Sequence, residues 1–347
     1  MANDIAYIQN FTSILDAVYQ RASVSSVLTS GQRMVRAGRH AREIMIPKIE
    51  VSGLGDYTRN VGYKTGSITF EYETKAFNYD RGLRLMADVM DVEEAGVLDC
   101  FVTAGAELQR TQVAPEADAF TFAQIAGHTG VTVESEDLSE AAATDVLASL
   151  REVTGDMDEA QVSTGSRILF ITPTLKGVLD DFSLANTTMS NRVLERFSRI
   201  VEVPQVRFYT AIDLLSGGDD GFGYQKRAQT YQKTADVALV DGKTYYTRSG
   251  SGTSASPYVY TAVAAADLDV DDIGDYYEVK VADGRDINFM VVERSAVIKF
   301  DKHVASRVFS PDELESLDSY MMKYRKYGIV ELFDNKLDGV YVSASTS

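Results

Sequence analysis

The chain has 347 residues, and its 34 basic and 51 acidic side chains give a formal net charge of −17. This length allows two or three compact units, and 45% hydrophobic with 24% charged residues is ordinary for a folded protein and excludes general disorder. The acidic balance excludes binding to nucleic acid or anionic membrane over most of the surface, so any DNA contact must be confined to a local basic patch.

The first segment predicts an amphipathic helix. Apolar residues from Ile5 to Ala22 recur at three- and four-residue spacing, and such a helix needs a surface to lie against. The start has no basic leader, and no apolar run approaches the roughly 18 residues of a membrane span. We therefore expect a protein that is made and used in a cytoplasm, or in a particle assembled there.

A basic strip follows this helix. Its arginines stand at every third position: Arg33, Arg36, Arg39 and Arg42. This spacing places them on one side of a helical turn, although the glycines around them make a long helix doubtful. A strip that meets phosphate or an acidic partner is one interpretation. A solvated basic face or a set of intersubunit ion pairs is the other, and we favour it.

A long hairpin is predicted over residues 44–77. EIMIPKIEV is an extended run, a glycine-rich segment follows, and apolar and polar residues alternate from Ile68 to Glu73. A two-stranded ribbon is marginally stable alone in water, and its open edges invite pairing. We therefore expect this hairpin to lie on another subunit.

The next stretch, AFNYDRGLRLMADVMDVEEAG, mixes charges of both signs with large apolar side chains. It contains no metal-ligand spacing, phosphate loop or nucleophile motif. We interpret its charges, Asp80, Arg81, Arg84 and Asp88 among them, as contacts with other copies of the chain. Repeated over many copies, such charges set the register of a contact and disfavour wrong partners.

A long helix is predicted from Asp91 to Gly127. If continuous, it has about 35 residues and a length of roughly 50 Å. Pro115 is expected to kink or interrupt it, with Glu116 and Asp118 at a restarted N-terminus. The single cysteine, Cys100, lies in the apolar pattern of this helix and is predicted to be buried and inert, and one cysteine excludes a disulfide framework.

The remainder predicts a mixed α/β unit with an insertion. An acidic helix is expected over residues 138–154, a buried strand at SRILFIT, a helix that begins at Pro173, and an extended segment at RIVEVPQVRFYT. Residues 216–285 are rich in Gly, Ser, Asp and Tyr and predict a β-rich surface insertion, with strands near ADVALVDGKTYYT, YVYTAV and YYEVKVA. The chain returns at INFMVVERSAVIKF, and DNKLDG predicts the turn of a closing hairpin.

Catalytic and metal motifs are weak or missing. The three histidines, His40, His128 and His303, stand in no metal-ligand spacing, so we expect structural roles. SGSGTSAS lacks the pattern of a nucleophile elbow and predicts a flexible loop. The calcium-loop positions 1, 3, 5 and 12 are matched by Asp267, Asp269, Asp271 and Glu278. Position 6 requires glycine but holds Asp272, so we favour an acidic, solvated turn over a calcium site.

The order of these elements resembles that of the major capsid proteins of tailed bacteriophages, which share the Hong Kong 97-type fold. The segment from IMIPKIEV to FNYDRG resembles the family's extended loop, FNYDRGLRLMADVMDVEEAG its junction with the spine helix, and LQRTQVAPEADAF the spine helix. ILFITP, VEVPQVRFYT and SAVIKFDK resemble the outer domain around the capsomer axis. The similarity covers most of residues 1–215 and 286–343, and the insertion between them has no counterpart.

The resemblance implies an α+β chain with an N-terminal arm, an extended β-hairpin loop, a long spine helix, peripheral and axial domains and a β-rich insertion. The expected segments are the arm (1–43), the extended loop (44–80), the peripheral domain with the spine helix (81–137), the first axial part (138–215), the insertion (216–285), the axial return (286–310) and the C-terminal peripheral strands (311–347). The extended loop then lies over the neighbouring subunit, which adds Lys64 and Lys75 to the expected intersubunit contacts. Some members join shells through Lys–Asn isopeptide bonds, but we expect none between Lys64 or Lys75 and Asn335.

The resemblance also implies a function. It is that of a major capsid protein without enzymatic activity or cofactor, which forms hexamers and pentamers of an icosahedral shell around double-stranded DNA. Expected partners are other copies of the chain, a scaffolding protein, a portal and decoration proteins, with no sequence-specific DNA binding and no membrane. The expected location is the virion, assembled in the cytoplasm of a host bacterium.

Three alternatives remain open. A cellular nanocompartment shell (encapsulin-like) has the same fold and encloses a protein cargo, and the sequence hardly distinguishes it from a phage capsid. A hydrolase with unrecognised catalytic residues is disfavoured, because no His, Cys or Ser motif converges. A surface adhesin or carbohydrate-binding module rests on the Tyr- and Ser-rich insertion alone.

Overall fold

The computed structural model describes residues 22–29, 36–37, 43–57, 59, 62–90, 105–185, 192–234, 240, 243–253, 256–264, 268, 276–311 and 319–346. The predicted N-terminal helix (apart from its last residue), Cys100 and the first part of the predicted long helix lie outside the described residues. No helix within the described ranges combines the length and the apolarity that crossing a bilayer requires.

In chain order, the strands are β1 (Arg36–Ala37), β2 (Glu43–Val51), β3 (Ile68–Ala76), β4 (Tyr79–Asp88), β5 (Thr132–Ser135), β6 (Arg167–Ile171), β7 (Arg199–Glu202), β8 (Ile212–Leu214), β9 (Tyr224–Lys226), β10 (Thr230–Lys233), β11 (Tyr246–Ser249), β12 (Val259–Ala262), β13 (Tyr277–Val281), β14 (Ile287–Glu293), β15 (Val297–Phe309), β16 (Ser319–Leu332) and β17 (Val340–Ala344). The α-helices with both ends inside the described residues are α1 (Ala114–Ala126), α2 (Ala143–Glu159) and α3 (Pro173–Ala185). The order of strands and helices shows no regular βαβ repeat, which is typical of an α+β fold.

The predicted hairpin is confirmed. β2 pairs antiparallel with β3 along its whole length, from Glu43 opposite Ala76 to Val51 opposite Ile68. The prediction of a helical turn for the basic strip is wrong at Arg36, which lies in β1 and pairs with Met45 of β2. The backbone is extended there because the edge of β2 is open and a short strand can pair with it.

The hairpin leads into a sheet of three antiparallel strands. β16 lies in its centre, between β15 and β4. Side chains on β4 alternate between partly covered and exposed from Arg81 to Asp88, so one face of this sheet is open to solvent. The open face carries Asp80, Arg84 and Asp88, whereas Arg81 lies on the partly covered face.

The predicted long helix is continuous across Pro115 in its described part. Residues 105–108 are helical, Gln109–Val113 form a π-helical turn, and α1 follows without a break. Proline removes an N–H and crowds the preceding turn of an α-helix, and the wider π-turn relieves that conflict. The expected restart is met in part: Glu116 lies in the first turn of α1, but the helical backbone runs into α1 from the π-turn, and both Glu116 and Asp118 are buried.

A five-stranded mixed sheet, in the order β5–β17–β14–β6–β7, forms the main core. Alternate residues of β6 point to opposite faces. Phe170 packs with α1 residues, including Phe122 with ring centroids 5.1 Å apart, whereas Leu169 packs in the cluster that contains α2 and α3. Both faces are covered, which explains why the ILFI part of this strand is apolar throughout instead of alternating.

The predicted closing hairpin at DNKLDG is wrong. These residues form a 3₁₀ turn, Asp334–Gly339, after which the chain leaves the three-stranded sheet and enters the five-stranded one. β17 pairs with β14 and β5, not with β16. The strand pairing also joins segments that the sequence predicts as separate. β17, from the expected peripheral segment, pairs with the axial strand β14, and β15, from the expected axial return, pairs with the peripheral strand β16.

The insertion contains the predicted strands β11, β12 and β13 together with β10, which the sequence did not predict. They form a four-stranded antiparallel sheet in the order β10–β13–β11–β12. SGSGTSAS forms the turn between β11 and β12, where Gly250 has a φ of +91° and Ser251 N donates to Ser256 O at 3.1 Å. The prediction of a loop at this position is confirmed for its described residues.

Candidate assembly interface

The hairpin presents apolar side chains to solvent. The exposed large side chains are Val51, Leu54, Tyr57, Tyr63, Ile68, Phe70 and Tyr72. Directly opposed residues of a sheet share a face, so Val51 joins Ile68, Phe70 and Tyr72 in one apolar face. Contiguous exposed apolar surface of this kind is typical of a site that binds another protein chain.

The tip of the hairpin is closed by a serine. Ser52 N donates to Ser67 O at 2.9 Å, and Ser67 N donates to Ser52 Oγ at 2.8 Å. Tyr57 and Tyr63 lie beyond this closure, with ring centroids 4.9 Å apart. The tip therefore presents aromatic rings beyond the point where the two strands are joined.

The two predicted loop lysines occupy different environments. Lys64, near the tip, is exposed, whereas Lys75, near the root, is partly covered. Asn335 is exposed on the 3₁₀ turn Asp334–Gly339. An intersubunit role for the lysines stays a prediction.

Asn78 and Phe77 fix the point where the hairpin leaves the body. The Asn78 side chain makes a hydrogen bond with each backbone group of Val330, and so continues the β4–β16 ladder by one step. The Phe77 ring packs edge-to-face on Tyr327, with centroids 5.3 Å apart. Sequence reasoning missed both residues, because their partners lie far away along the chain.

Two of the predicted intersubunit charges are ion-paired within the chain. Arg325 donates to both carboxylate oxygens of Asp80, at 2.7 and 2.5 Å. Arg81 Nε donates to Glu116 Oε1 of α1 at 2.8 Å, and its Nη2 donates to Gly223 O at 3.2 Å. These pairs join the hairpin root to the sheet, to the helix and to the start of the insertion.

The other two charges at the root, Arg84 and Asp88, are exposed on the same face of β4. Asp88 Oδ1 accepts a hydrogen bond from Met90 N at 2.9 Å. No residue of the described chain forms an ion pair with Arg84. Arg84 is therefore available to a partner, and its intersubunit role stays a prediction.

Asp118 is fully buried on α1 and binds the segment that precedes the hairpin. Its Oδ1 accepts from the Ser23 and Ser25 hydroxyls at 2.6 and 2.5 Å, and its Oδ2 accepts from Val24 N at 3.0 Å. Arg207 Nη1 donates to the same carboxylate at 3.2 Å and so supplies the compensating charge. A buried carboxylate that is both paired and hydrogen-bonded holds its partners in one arrangement.

A second group of buried charges lies beside this carboxylate. Lys299 Nζ donates to Ser25 Oγ at 2.5 Å, and Lys326 Nζ lies 3.5 Å from Asp301 Oδ1. Burial lowers the pKa of Lys326 to about 8, and Asp301 opposes that shift. Burial also raises the pKa of Tyr79 well above its usual range, and the neighbouring Glu116 carboxylate adds to the effect.

Sequence reasoning missed this buried cluster. Its signal in the sequence is a single charge inside an otherwise apolar run, as for Lys299 in VIKF and Asp118 in ADAF. Such a charge must be paired when it is buried. The pattern does not identify the partner, so the cluster can be recognised only from the fold.

Most of the basic strip and of the calcium-like loop lies outside the described residues. Arg33, Arg39, Arg42, Asp267, Asp269 and Asp271 belong to that part. Glu278, the last calcium-loop position, lies in β13, where Gln232 Nε2 donates to its Oε1 at 2.7 Å and Lys243 pairs with its Oε2. Both oxygens are engaged within the chain. Within the described residues, no group of three His, Cys, Asp or Glu is placed to hold a metal ion.

The histidines show no convergence in the described chain. His128 Nε2 lies 3.1 Å from Glu331 Oε1, and its Nδ1 lies 2.9 Å from Thr129 O. The Glu331 contact joins the second residue after α1 to β16. His303 lies in β15 opposite Lys326, and His40 is outside the described residues.

No family model and no curated protein matches the sequence. The fold does match solved structures. A structure of Mycobacterium phage Che8 matches with a TM-score of 0.51 and 11% identity, over 92% of this chain and 90% of that one. The chain has the Hong Kong 97-type capsid fold. A virus-like particle from Pyrococcus furiosus matches with a TM-score of 0.50 and 8% identity, over 97% of this chain and 99% of that one.

The Hong Kong 97-type capsid fold confirms the predicted α+β class. In the terms of this fold, the β2–β3 hairpin is the extended loop and α1 belongs to the spine helix.

Proposed function

We propose that the chain is the major capsid protein of a tailed bacteriophage, which assembles with copies of itself into hexamers and pentamers of an icosahedral shell around double-stranded DNA. The observation that supports this most directly is the extended loop, whose apolar face is exposed among the described residues of its own subunit. The capsid fold supports the same function. A second copy of the chain supplies the missing cover.

Location and partners follow from this proposal. The chain belongs in the virion, is assembled in the host cytoplasm, and works with a scaffolding protein, a portal and decoration proteins. It catalyses no reaction and needs no cofactor. Lys64, Lys75, Arg84 and Asp88 contact neighbouring subunits, and the basic strip from Arg33 to Arg42 faces the genome or an acidic surface of a neighbour.

A cellular nanocompartment shell that encloses a protein cargo is the second candidate function. The match to a virus-like particle over 97% of this chain favours it, because that match includes nearly the whole fold. Gene neighbourhood separates the two candidates: terminase and portal genes accompany a phage capsid, whereas a peroxidase or ferritin-like gene accompanies a compartment shell.

The test of assembly is expression of the full chain, with negative-stain electron microscopy and light scattering on the same sample. Closed shells, or rings of five and six subunits, are expected. A compact dimer that never grows, even with a candidate scaffold, would contradict the proposal.

A pair of double variants tests the role of the extended loop. Leu54→Ser with Phe70→Ser removes apolar area from the loop, and Phe222→Ser with Val259→Ser removes exposed apolar area from the insertion. We expect the loop variant to lose shells while its subunit stays folded, because these side chains are exposed within the subunit. The insertion variant is expected to assemble as the unmodified chain does.

A further inference from the structure

Arg84 and Lys323 form a cationic row across the three-stranded sheet. Lys323 of β16 stands directly opposite Arg84 of β4, and both residues are exposed. The register places Arg307 of β15 opposite Lys323 on its other side. Directly opposed residues have Cβ atoms only about 4.5–5.5 Å apart, and like charges in such a pair destabilise a sheet.

Among the described residues, neighbouring carboxylates do not neutralise this row. Arg325 already binds the Asp80 carboxylate through two hydrogen bonds, at 2.7 and 2.5 Å. Asp88 is four residues along the strand from Arg84, about 13 Å at the usual rise per residue. Lys323 Nζ lies over the Phe309 ring, 4.7 Å from its centroid, and neither Arg84 nor Lys323 has a carboxylate partner within the described chain.

The surroundings of the row indicate which anion it meets. Met86 lies two residues from Arg84 on the same face and is 41% exposed, so the surface is partly apolar. β4 begins three positions after β3 ends, which makes the row continuous with the root of the extended loop. Each copy of the chain has 51 acidic against 34 basic side chains, so a neighbouring copy presents a mostly anionic surface. Apolar contact together with carboxylates fits a protein partner better than a phosphate backbone.

We propose that Arg84 and Lys323 bind carboxylates of a second copy of this chain. The inference rests on the proposed function and names the chemistry of one of its contacts. Repulsion across β4 and β16 within one subunit is then relieved when the neighbour arrives. The row therefore favours the assembled state over the free subunit, and it selects partners that bring negative charge to this position.

The test compares Arg84→Glu and Lys323→Glu with a matched charge reversal, Lys280→Glu, at an exposed position of the insertion sheet. Arg84→Glu turns a like-charge pair into an opposite-charge pair, so the thermal midpoint of the free subunit is expected to stay unchanged or to rise. The same variant is expected to slow assembly about tenfold at low ionic strength, when followed by light scattering. The difference from the unmodified chain is expected to shrink in high salt, where the Debye length falls to about 3 Å at 1 M.

The possible results distinguish failure of this inference from failure of the proposed function. Assembly of Arg84→Glu at the rate of the unmodified chain and of Lys280→Glu, at every salt concentration, would overturn this inference and leave the proposed function standing. Loss of binding to a double-stranded DNA fragment, with assembly unchanged, would also overturn it and assign the row to phosphate. If the unmodified chain forms no particle under any condition, the proposed function fails, and this inference fails with it.

Discussion

The side chain of Asn78 makes two hydrogen bonds with the backbone of Val330: Nδ2 donates to Val330 O at 2.8 Å, and Oδ1 accepts from Val330 N at 3.1 Å. An amide side chain here replaces the backbone of a further β4 residue. The main chain of Phe77 and Asn78 is thereby released from the ladder and can turn into the extended loop. One side chain thus determines both where the sheet ends and where the loop begins.

Asn78→Ala is expected to lower the free energy of unfolding by about 1 kcal/mol, because two hydrogen bonds are lost at a partly exposed position. Urea unfolding measures the change. The control is Asn335→Ala, on an exposed turn, which is expected to stay within about 0.5 kcal/mol of the unmodified chain. Equal effects of the two variants would show that the Asn78 pair adds no stability.

Asp118→Asn is expected to lower the free energy of unfolding by about 3 kcal/mol, because it leaves the Arg207 guanidinium without its compensating charge in a largely buried site. Limited proteolysis is expected to cut the segment 22–29 faster in this variant, because that segment is bound by the carboxylate. Glu107→Gln, which breaks an exposed ion pair with Arg110 on the same helix, is expected to cost less than about 1 kcal/mol. An Asp118→Asn chain as stable and as resistant as Glu107→Gln would contradict the assignment.

Lys326 is expected to make stability depend on pH. Its pKa is about 8 in the folded chain against 10.5 for an ordinary lysine. Between these values the unfolded chain binds more protons than the folded chain at this site, so the contribution of Lys326 to stability rises with pH. Below pH 8 the ammonium is charged in both states and its contribution is constant.

Lys326→Met is the matched variant for this measurement, because it keeps the length of the side chain and removes the titrating group. The difference in unfolding free energy between the unmodified chain and the variant is expected to change in favour of the unmodified chain from pH 8 to pH 10. Urea unfolding at several pH values measures it. A difference that stays constant over this range would refute the lowered pKa.

A side chain at Gly284 is expected to destabilise the folded chain. A Cβ atom there would lie 2.1 Å from Ala211 O, at the point where the insertion rejoins the body. Gly284→Ala is expected to cost about 1–3 kcal/mol, the range of overpacking in a tightly packed site. Gly165→Ala serves as the control, because nothing lies within 4 Å of its added Cβ. Equal thermal midpoints for the two variants would contradict the expected strain.

The sequence predicts elements whose signal is local. The hairpin from Glu43 to Ala76, the buried strand β6 and the insertion strands β11 to β13 were found because a two-residue alternation or a short apolar run identifies them without a partner. The helix that begins at Pro173 follows in the same way from proline at its first position.

The parts that sequence did not predict depend on distant pairing. DNKLDG has the composition of a hairpin turn, yet composition does not say that the next strand belongs to another sheet. Asp118 binds residues of the segment 22–29, which is separated from it along the chain by the hairpin and by the start of the helix. No short window of the sequence therefore contains both. Of the charges at the hairpin root, Asp80 and Arg81 find partners within the chain whereas Arg84 does not, and only the register of β4 and β16 distinguishes them.

The position of β17 has a consequence for synthesis. β17 lies between β5 and β14, yet it is made last of the five strands in that sheet. About two hundred residues separate β5 from β17, so at a ribosomal rate of 5–20 residues per second β5 waits about 10–40 s for its neighbour. β14 is complete about 50 residues before β17 begins, so its inner edge is open for about 2–10 s of that time, and an open edge pairs readily with other nascent chains. Synthesis of the last strand therefore ends the period in which the chain is most prone to aggregate.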